Sequence, residues 1–115
     1  MKEKKILILG ANGMIGHKVY QVLSKHHNDV WVHFRTLINF DDNSLFKDKS
    51  KIIEGLDLSN FNKLEDCLNS LMPDIIINAA GITIRRGVNE SFFKSILLNS
   101  ALPHFLNKWV SKKIY

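Results

Sequence analysis

Residues 6–16 read ILILGANGMIG, an apolar run followed by a glycine at every third position. An apolar run that ends abruptly at a glycine is typical of a strand buried on both faces of a sheet, and we predict this strand at Lys5–Leu9. The residues after the turn have helical spacing. The segment therefore predicts a strand, a tight turn and a helix, in that order.

The three glycines of the turn have distinct physical uses. Gly10 lets the chain turn sharply, Gly13 lets a pyrophosphate approach the backbone, and Gly16 lets the helix lie close to the sheet. Their spacing, G-x-x-G-x-x-G, differs from the G-x-G-x-x-G of many dinucleotide-binding turns. A turn that binds nothing is the alternative, but regular glycines between a strand and a helix favour an anion site at the helix start. We predict that Ala11–Ile15 contact the phosphate mostly through their backbone. The predicted cofactor-binding residues of the turn are Gly10, Asn12, Gly13, Met14, Ile15 and Gly16.

Four apolar segments alternate with segments of helical periodicity along the chain. We predict strands at Lys5–Leu9, Asp29–Phe34, Lys51–Glu54 and Asp74–Asn78, and helices at Met14–Lys25, Asn60–Leu71 and Ser91–Lys112. Such alternation implies a parallel sheet, and right-handed crossovers place its strands in the order 3-2-1-4. This is the first half of a Rossmann-type doubly wound α/β fold, within one domain of residues 1–115.

Two of these helices present an apolar stripe to the sheet, with positions three or four residues apart. In the first helix the stripe consists of Ile15, Val19, Val22 and Leu23. In the second it consists of Leu64, Cys67, Leu68 and Leu71, so Cys67 has a packing role. Ser59 is available as the N-cap of the second helix, and Pro103 should kink or restart the third. The polar residues 39–50 predict a surface loop with one helical turn around Leu45.

Arg35 stands directly after the second strand, where dinucleotide-binding domains contact the adenosine ribose. An acid at this place favours NAD, whereas an Arg accommodates the 2′-phosphate of NADP. We therefore predict NADP as the favoured cofactor, with NAD as the alternative. The competing interpretation of Arg35 is an ordinary solvated charge at a strand end.

Three segments at the ends of the strands carry a family resemblance. Gly10–Gly16, Asp57-Leu58 and Asn78–Gly81 together resemble the short-chain dehydrogenase/reductase superfamily. Within it, residues 73–81 and 98–103 resemble the extended sugar-nucleotide branch, in particular dTDP-4-dehydrorhamnose reductase-like proteins. The resemblance covers essentially the whole chain, in order.

This resemblance implies roles for several residues. Asp57 and Leu58 would border the adenine, Asn99 would support the active-site architecture, and the cofactor cleft would be lined by Ala79, Ala80 and Gly81. Each residue also has an alternative role. Asp57 could be a turn or cap residue, Ala79–Gly81 could be small residues at a crowded strand end, and Asn99 could be a polar break in a helix.

Thr83, Arg85 and Arg86 follow the fourth strand, where ligands of open α/β sheets bind. Thr83 and Arg85 could contact the phosphate of a nucleotide-sugar substrate. Solvated loop charges are the interpretation that we favour for this segment.

Reductases of this superfamily use a Tyr and a Lys four residues later, and the sequence contains no Tyr-x-x-x-Lys. We therefore predict no catalytic residue within the chain. Lys113–Tyr115 looks like the beginning of a fifth strand, so the sheet is expected to be truncated there. The apolar Ile75–Ile77 is typical of a strand buried on both faces, but without a fifth strand it would be an exposed sheet edge. A missing C-terminal portion, or a partner or homo-oligomer that supplies a strand, is implied.

Composition argues against several other classes of function. The 16 Lys and Arg against 11 Asp and Glu give a net charge of +5, but the cations are dispersed and only three are Arg, which argues against nucleic-acid binding. The five His show no paired metal-ligand spacing, so no metal is predicted. The apolar run after the basic start is too short for a signal peptide or a membrane span, which predicts a cytoplasmic protein.

Three hypotheses of function remain. The leading one is the NADP-preferring, nicotinamide dinucleotide-binding portion of a nucleotide-sugar reductase or epimerase. The second is a non-catalytic NAD(P)-binding or sensing module, which the missing Tyr-x-x-x-Lys supports. The third is a module that binds nucleic acid or an acidic partner through the net positive charge.

Overall fold

The computed structural model describes residues 3–11, 13–34, 46, 49–80 and 96–113. Its centre is a parallel sheet of four strands, which we label β1 (Ile6–Leu9), β2 (Val30–Phe34), β3 (Ile52–Glu54) and β4 (Ile75–Asn78). The strands lie in the order β3-β2-β1-β4, and Ile6 of β1 is in register with Val30 and Ile75. The predicted Rossmann-type order 3-2-1-4 is confirmed.

Three α-helices accompany the sheet in the described ranges. They are α1 (Met14–Leu23), α2 (Phe61–Leu71) and α3 (Leu102–Lys113). A 3₁₀ turn at Lys49–Lys51 precedes β3. Within these ranges, each helix is too short or too polar to cross a membrane.

A π-helical turn at Leu97–Ala101 leads directly into α3. Its last bond runs from the Leu102 N–H to the Leu97 carbonyl, five residues back. The wide turn lies immediately before Pro103, which has no N–H to donate and crowds the preceding turn. Pro103 thus coincides with the predicted restart of the helix, while residues 91–95 of the predicted helix lie outside the described residues.

Two apolar cores lie on opposite faces of the sheet, because β1 is buried on both faces. Leu7 and Leu9 belong to the core that includes α2 and α3, and Ile6 and Ile8 belong to the core that includes Tyr20 of α1. The predicted stripe of α2 faces the first core, with Leu64 and Leu68 fully buried. Cys67 is half-buried beside them, and burial raises the pKa of its thiol.

The predicted stripe of α1 is confirmed for Val19 and Leu23, which pack against the core, and is wrong for Ile15 and Val22. Ile15 and Val22 are 70% and 60% exposed, whereas Gly16 and Tyr20 are buried. The packed face of the helix, which includes half-buried apolar side chains, consists of Gly16, Val19, Tyr20 and Leu23. The Tyr20 ring packs against Phe46, with the ring centroids 4.7 Å apart.

The N-cap of α2 also differs from the prediction. Asn60, not Ser59, caps the helix, because its side-chain oxygen accepts a hydrogen bond from the Lys63 N–H at 3.3 Å. The Ser59 hydroxyl instead donates to the Asp57 carboxylate at 2.7 Å. The helix ends at Met72, which has a left-handed φ of 51° before Pro73.

β4 is an edge strand in the described part of the chain. Ile75 is 43% exposed, and Ile76 and Ile77 are half-buried. The prediction that this strand is buried on both faces is therefore wrong for the described residues, and the expectation of an exposed edge describes it better. The predicted helical turn around Leu45 lies outside the described residues, although the neighbouring Phe46 is buried.

Candidate functional site

The carboxyl ends of all four strands lie at one edge of the sheet, because every pair is parallel. β1 leads into the glycine turn, β3 leads into the segment Gly55–Leu58, and β4 leads into Ala79 and Ala80. Ligands of open α/β sheets bind at this edge. The edge therefore collects the sequence segments that we predicted to bind a cofactor.

Gly10 and Gly16 are required by the packing of the turn itself. Gly10 has a φ of +73°, and a Cβ there would lie 2.8 Å from the Cα of Ala80. A Cβ on Gly16 would fall on the Gly10 carbonyl oxygen. The turn is further tied to β4, since the Ala79 N–H donates to the Leu9 carbonyl at 2.9 Å. These two glycines close the strand-to-helix connection and join it to the end of β4.

Gly13 is different, because the fold leaves room for a side chain there. Its backbone is extended, with φ −78° and ψ 174°, which any residue can adopt. A Cβ would meet only the Gly10 carbonyl oxygen, at 3.4 Å, which is an ordinary contact. Packing within the described residues therefore does not call for a glycine at this position. A phosphate lying against the backbone would call for one.

The start of α1 offers hydrogen-bond donors to an anion. Among the described residues, no side chain caps the helix, and its first turn contains no acidic residue. The first bond back into the helix runs from the His17 N–H to the Gly13 carbonyl at 3.0 Å. The N–H groups of Met14–Gly16 therefore have no intrahelical acceptor, and they lie at the positive end of the helix dipole. A phosphate group fits this arrangement.

His33, near the end of β2, lies directly behind the turn and is fully buried. Its Nδ1 accepts a hydrogen bond from the Gly10 N–H at 3.2 Å, and its Nε2 lies 2.7 Å from the Leu56 carbonyl oxygen. Burial lowers the pKa of the imidazole, although the Leu56 hydrogen bond and the charge of Asp57 act in the opposite direction. The neutral ring thus joins the glycine turn to the loop after β3.

That loop contains Asp57 and Leu58. The Asp57 side chain is exposed, and one of its oxygens accepts hydrogen bonds from both the N–H and the hydroxyl of Ser59. The Leu58 side chain is buried in the core beside α2 and α3. Asp57 thus presents a carboxylate at the site edge, whereas Leu58 can offer a ligand mainly its backbone.

A comparison with protein families identifies the kind of protein to which this turn belongs. The model of the NAD dependent epimerase/dehydratase family matches residues 6–97, which extend from β1 to beyond β4. The chain belongs to this family. It carries the NAD(P)-binding portion of an epimerase/dehydratase-type protein, and a bound dinucleotide would supply hydride chemistry at this edge of the sheet.

Solved structures share the fold of this family member. A hypothetical dTDP-4-dehydrorhamnose reductase from Sulfolobus tokodaii is 25% identical, with a TM-score of 0.72 over 93% of this chain. WbmH from Bordetella bronchiseptica, solved with NAD+, is 18% identical, with a TM-score of 0.70 over 96% of the chain. A variant of ElxO, solved with NADPH, is 24% identical, with a TM-score of 0.75 over 97%. The search of curated proteins gave no match.

This chain aligns with only part of each of the solved proteins that it resembles. The chain spans 35% of the Sulfolobus reductase, 36% of WbmH and 50% of ElxO. The matched portion includes the glycine turn and the ends of all four strands.

The predicted site residues fall into two groups in this epimerase/dehydratase-type fold. Those at the carboxyl edge of the sheet are Gly10, Gly13, Met14, Ile15, Gly16, Asp57, Leu58, Ala79 and Ala80. Those outside the described residues are Asn12, Arg35, Gly81, Thr83, Arg85 and Arg86. In the described ranges no group of three or more His, Cys, Asp or Glu could hold a metal ion.

Sequence reasoning missed His33. The five His were assessed only for metal-ligand spacing, which His33 does not have. The available signal was its place as the single titratable residue within the otherwise apolar run of β2, VWVHF. A polar side chain in a buried strand needs hydrogen-bond partners, and here those partners are the backbone groups that shape the site.

Proposed function

We propose that this chain is the NADP-preferring, dinucleotide-binding portion of a nucleotide-sugar reductase or epimerase. The observation that carries the proposal is Gly13, at the start of α1: among the described residues, packing does not call for a glycine there and no side chain caps the helix. Membership of the NAD dependent epimerase/dehydratase family supports the same assignment. The Sulfolobus protein is described as a hypothetical dTDP-4-dehydrorhamnose reductase, which supports the class of substrate.

In this proposal the backbone of the glycine turn binds the pyrophosphate, with Asn12, Met14 and Ile15 beside it. Asp57 and the backbone of Leu58 border the adenine. The cofactor cleft is completed by Ala79, Ala80 and Gly81. Solvated loop positions stay the favoured interpretation of Thr83 and Arg85, with contact to a nucleotide-sugar phosphate as the alternative. A homo-oligomer and a cytoplasmic location remain predictions from the sequence.

The glycine turn is tested by the substitution Gly13→Val. We expect NADPH to bind at least about tenfold more weakly, which corresponds to about 1.4 kcal/mol, because the branched side chain occupies the space of the pyrophosphate. Calorimetric titration measures the affinity, and circular dichroism checks that the variant is folded. Lys18→Ala, on the exposed face of the same helix, is the matched control and should bind as the unsubstituted protein does. Equal affinity of Gly13→Val and the control would remove the basis of the proposal.

The preference for NADP rests on Arg35, directly after β2. Solved proteins of this fold are recorded with NAD+ and with NADPH, so the fold is compatible with either cofactor. A charge-assisted hydrogen bond from Arg35 to the 2′-phosphate would contribute about 1.5–3 kcal/mol, or roughly tenfold to hundredfold in affinity. We expect Arg35→Asp to shift the ratio of NADPH to NADH affinity towards NADH by about that factor. An unchanged ratio would contradict the assignment of NADP.

A non-catalytic NAD(P)-binding module is the second candidate function, because residues 1–115 contain no Tyr-x-x-x-Lys. The coding sequence after Tyr115 discriminates between the two. A Ser or Thr followed by Tyr-x-x-x-Lys in that sequence would support the enzyme, and a reading frame without them would support the module. The hypothesis of a nucleic-acid-binding module predicts instead that nucleic acid still binds the Gly13→Val variant, and that its affinity falls steeply as the salt concentration rises.

A further inference from the structure

The side chain of His33 connects two backbone segments of the candidate site. Its ring is fully buried, one nitrogen receives the Gly10 N–H, and the other contacts the Leu56 carbonyl oxygen. Gly10 begins the phosphate turn, and Leu56 immediately precedes the Asp57-Leu58 pair on the proposed adenine side. One imidazole therefore spans the two parts of the site.

These two contacts specify the protonation state of the ring. A carbonyl oxygen only accepts hydrogen bonds, so Nε2 must carry the proton that it shares with Leu56. The Gly10 N–H only donates, so Nδ1 must carry a lone pair. Only the neutral ring protonated at Nε2 satisfies both partners. A second proton, on Nδ1, would face the Gly10 N–H and break that contact.

The His33 backbone reinforces the same connection. Its carbonyl oxygen accepts a hydrogen bond from the Ala11 N–H at 2.8 Å, so the N–H groups of Gly10 and Ala11 both donate to His33. The glycine turn is thus bonded to His33 through both its side chain and its backbone.

We propose that His33 is a positioning residue for dinucleotide binding. Its neutral ring fixes the distance between the glycine turn and the loop after β3, and protonation of the ring breaks its hydrogen bond to the turn. This inference rests on the proposed dinucleotide-binding function. His33 itself is buried and does not contact the cofactor. Its effect is transmitted through Gly10 and Leu56.

Asp57 is the charged group whose field acts on the ring among the described residues. The residues bonded to the ring or paired with His33 across the sheet, Gly10, Leu56 and Ile53, carry no charge. Asp57 favours the protonated ring, but burial disfavours it more strongly, so the pKa lies below the ordinary value of 6.5. His33 is therefore neutral above pH 6.5, and dinucleotide affinity should fall only as the pH drops below that value.

The test compares His33→Leu, His33→Asn and Leu68→Ala in the same protein. His33→Leu removes both ring contacts, whereas the Asn side-chain oxygen can replace Nδ1 as acceptor for Gly10. Leu68→Ala is a destabilised control, since Leu68 is fully buried in α2 and is not part of the site edge. The affinity for NADP+ is measured by calorimetry between about pH 7.5 and 5, at a temperature at which all variants remain folded.

At neutral pH we expect His33→Leu to weaken binding by about tenfold or more, because the buried Gly10 N–H loses its acceptor. His33→Asn should recover most of the affinity, and Leu68→Ala should retain all of it. As the pH falls, the unsubstituted protein should lose affinity more steeply than His33→Asn, which shares any titration of the cofactor but lacks the imidazole. Unchanged affinity in His33→Leu, or equal pH profiles for the two proteins, would overturn the proposal.

Nuclear magnetic resonance of the ligand-free protein separates this inference from the proposed function. The ring nitrogen resonances should report the neutral form protonated at Nε2. The amides of Gly10 and Ala11 should exchange faster with solvent in His33→Leu than in Leu68→Ala. If the unsubstituted protein binds neither NADP+ nor NADH, the proposed function fails, and these resonances still decide whether His33 holds the turn. Equal exchange in the two variants, or a ring protonated at Nδ1, would overturn the role of His33.

Discussion

Gly10, Gly13 and Gly16 are all glycines, but the physical reason for a glycine differs at each of the three positions. Gly10 adopts a left-handed φ against Ala80, and Gly16 faces the Gly10 carbonyl at a distance that no Cβ allows. Gly13 has an ordinary backbone conformation and space around it. Two of the glycines therefore serve the fold, and the third is the one that we propose to lie against a ligand.

This division predicts how alanine substitutions change stability. Gly10→Ala and Gly16→Ala should each lower the free energy of unfolding by about 2–4 kcal/mol, through left-handed strain or overlap with the backbone. Gly13→Ala should change it by less than about 0.5 kcal/mol. Urea denaturation followed by circular dichroism measures all three. A loss at Gly13 as large as at Gly16 would mean that all three glycines serve the fold.

At the scale of elements, the contact between Gly16 and Gly10 sets the rotation of α1 about its axis. Because Gly16 must face the turn, the residues that share its side of the helix face the sheet, and Tyr20 packs on Phe46. The apolar Ile15 and Val22 are left exposed. Met14 is also exposed, and with Ile15 it flanks the start of the helix, beside the proposed phosphate position.

The rotation of α1 predicts unequal effects of truncating its apolar side chains. Tyr20→Ala should lower the free energy of unfolding by about 3 kcal/mol, because it removes a buried ring from the core. Val22→Ala, at a position that the sequence pattern placed in the packed stripe, should cost less than about 0.5 kcal/mol because Val22 is exposed. Urea titrations of the two variants against the unsubstituted chain give both values. If Val22→Ala lowered the free energy of unfolding as much as Tyr20→Ala does, Val22 would belong to the packed face, as the periodicity predicted.

At the scale of the whole molecule, the described strands form a sheet with β4 at one edge. A groove of about 390 Å³ lies along this edge, between β4 and α3, and Ile75, Pro103, Leu106 and Val110 contribute its apolar lining. An edge strand has unpaired backbone groups that can bond to another strand. On this edge Ile75 is 43% exposed, and Ile76 and Ile77 are half-buried.

We therefore expect the isolated 115-residue chain to self-associate through β4. Ile75→Lys should reduce the association, because a charged side chain on an edge strand opposes pairing with a second strand. Val22→Lys, which places the same charge on the exposed face of α1, is the matched control and should leave the association unchanged. Light scattering coupled to gel filtration measures the mass of each variant at several concentrations. Equal reductions in both variants would attribute the association to net charge rather than to this edge.

The local sequence was sufficient to predict the strands, their order and the glycine turn. Apolar runs, helical periodicity and glycine spacing are properties of neighbouring residues, and the handedness of the crossovers supplies the order 3-2-1-4. The same reasoning misplaced the cap of α2. Ser59 and Asn60 are both capping residues, and the cap is Asn60 because the helix begins at the next residue, Phe61, one position later than a Ser59 cap requires.

The sequence by itself determined the fold class, the position of the glycine turn between β1 and α1, and the family to which the chain belongs. Only the tertiary structure decided which glycines the fold requires, which face of α1 is buried, and that His33 joins the two sides of the site. Each of these depends on contacts between segments that are distant in the chain, such as Gly10 with Ala80 and His33 with Leu56. Residue spacing within one segment does not predict such contacts, because they form only when the strand ends meet at one edge of the sheet.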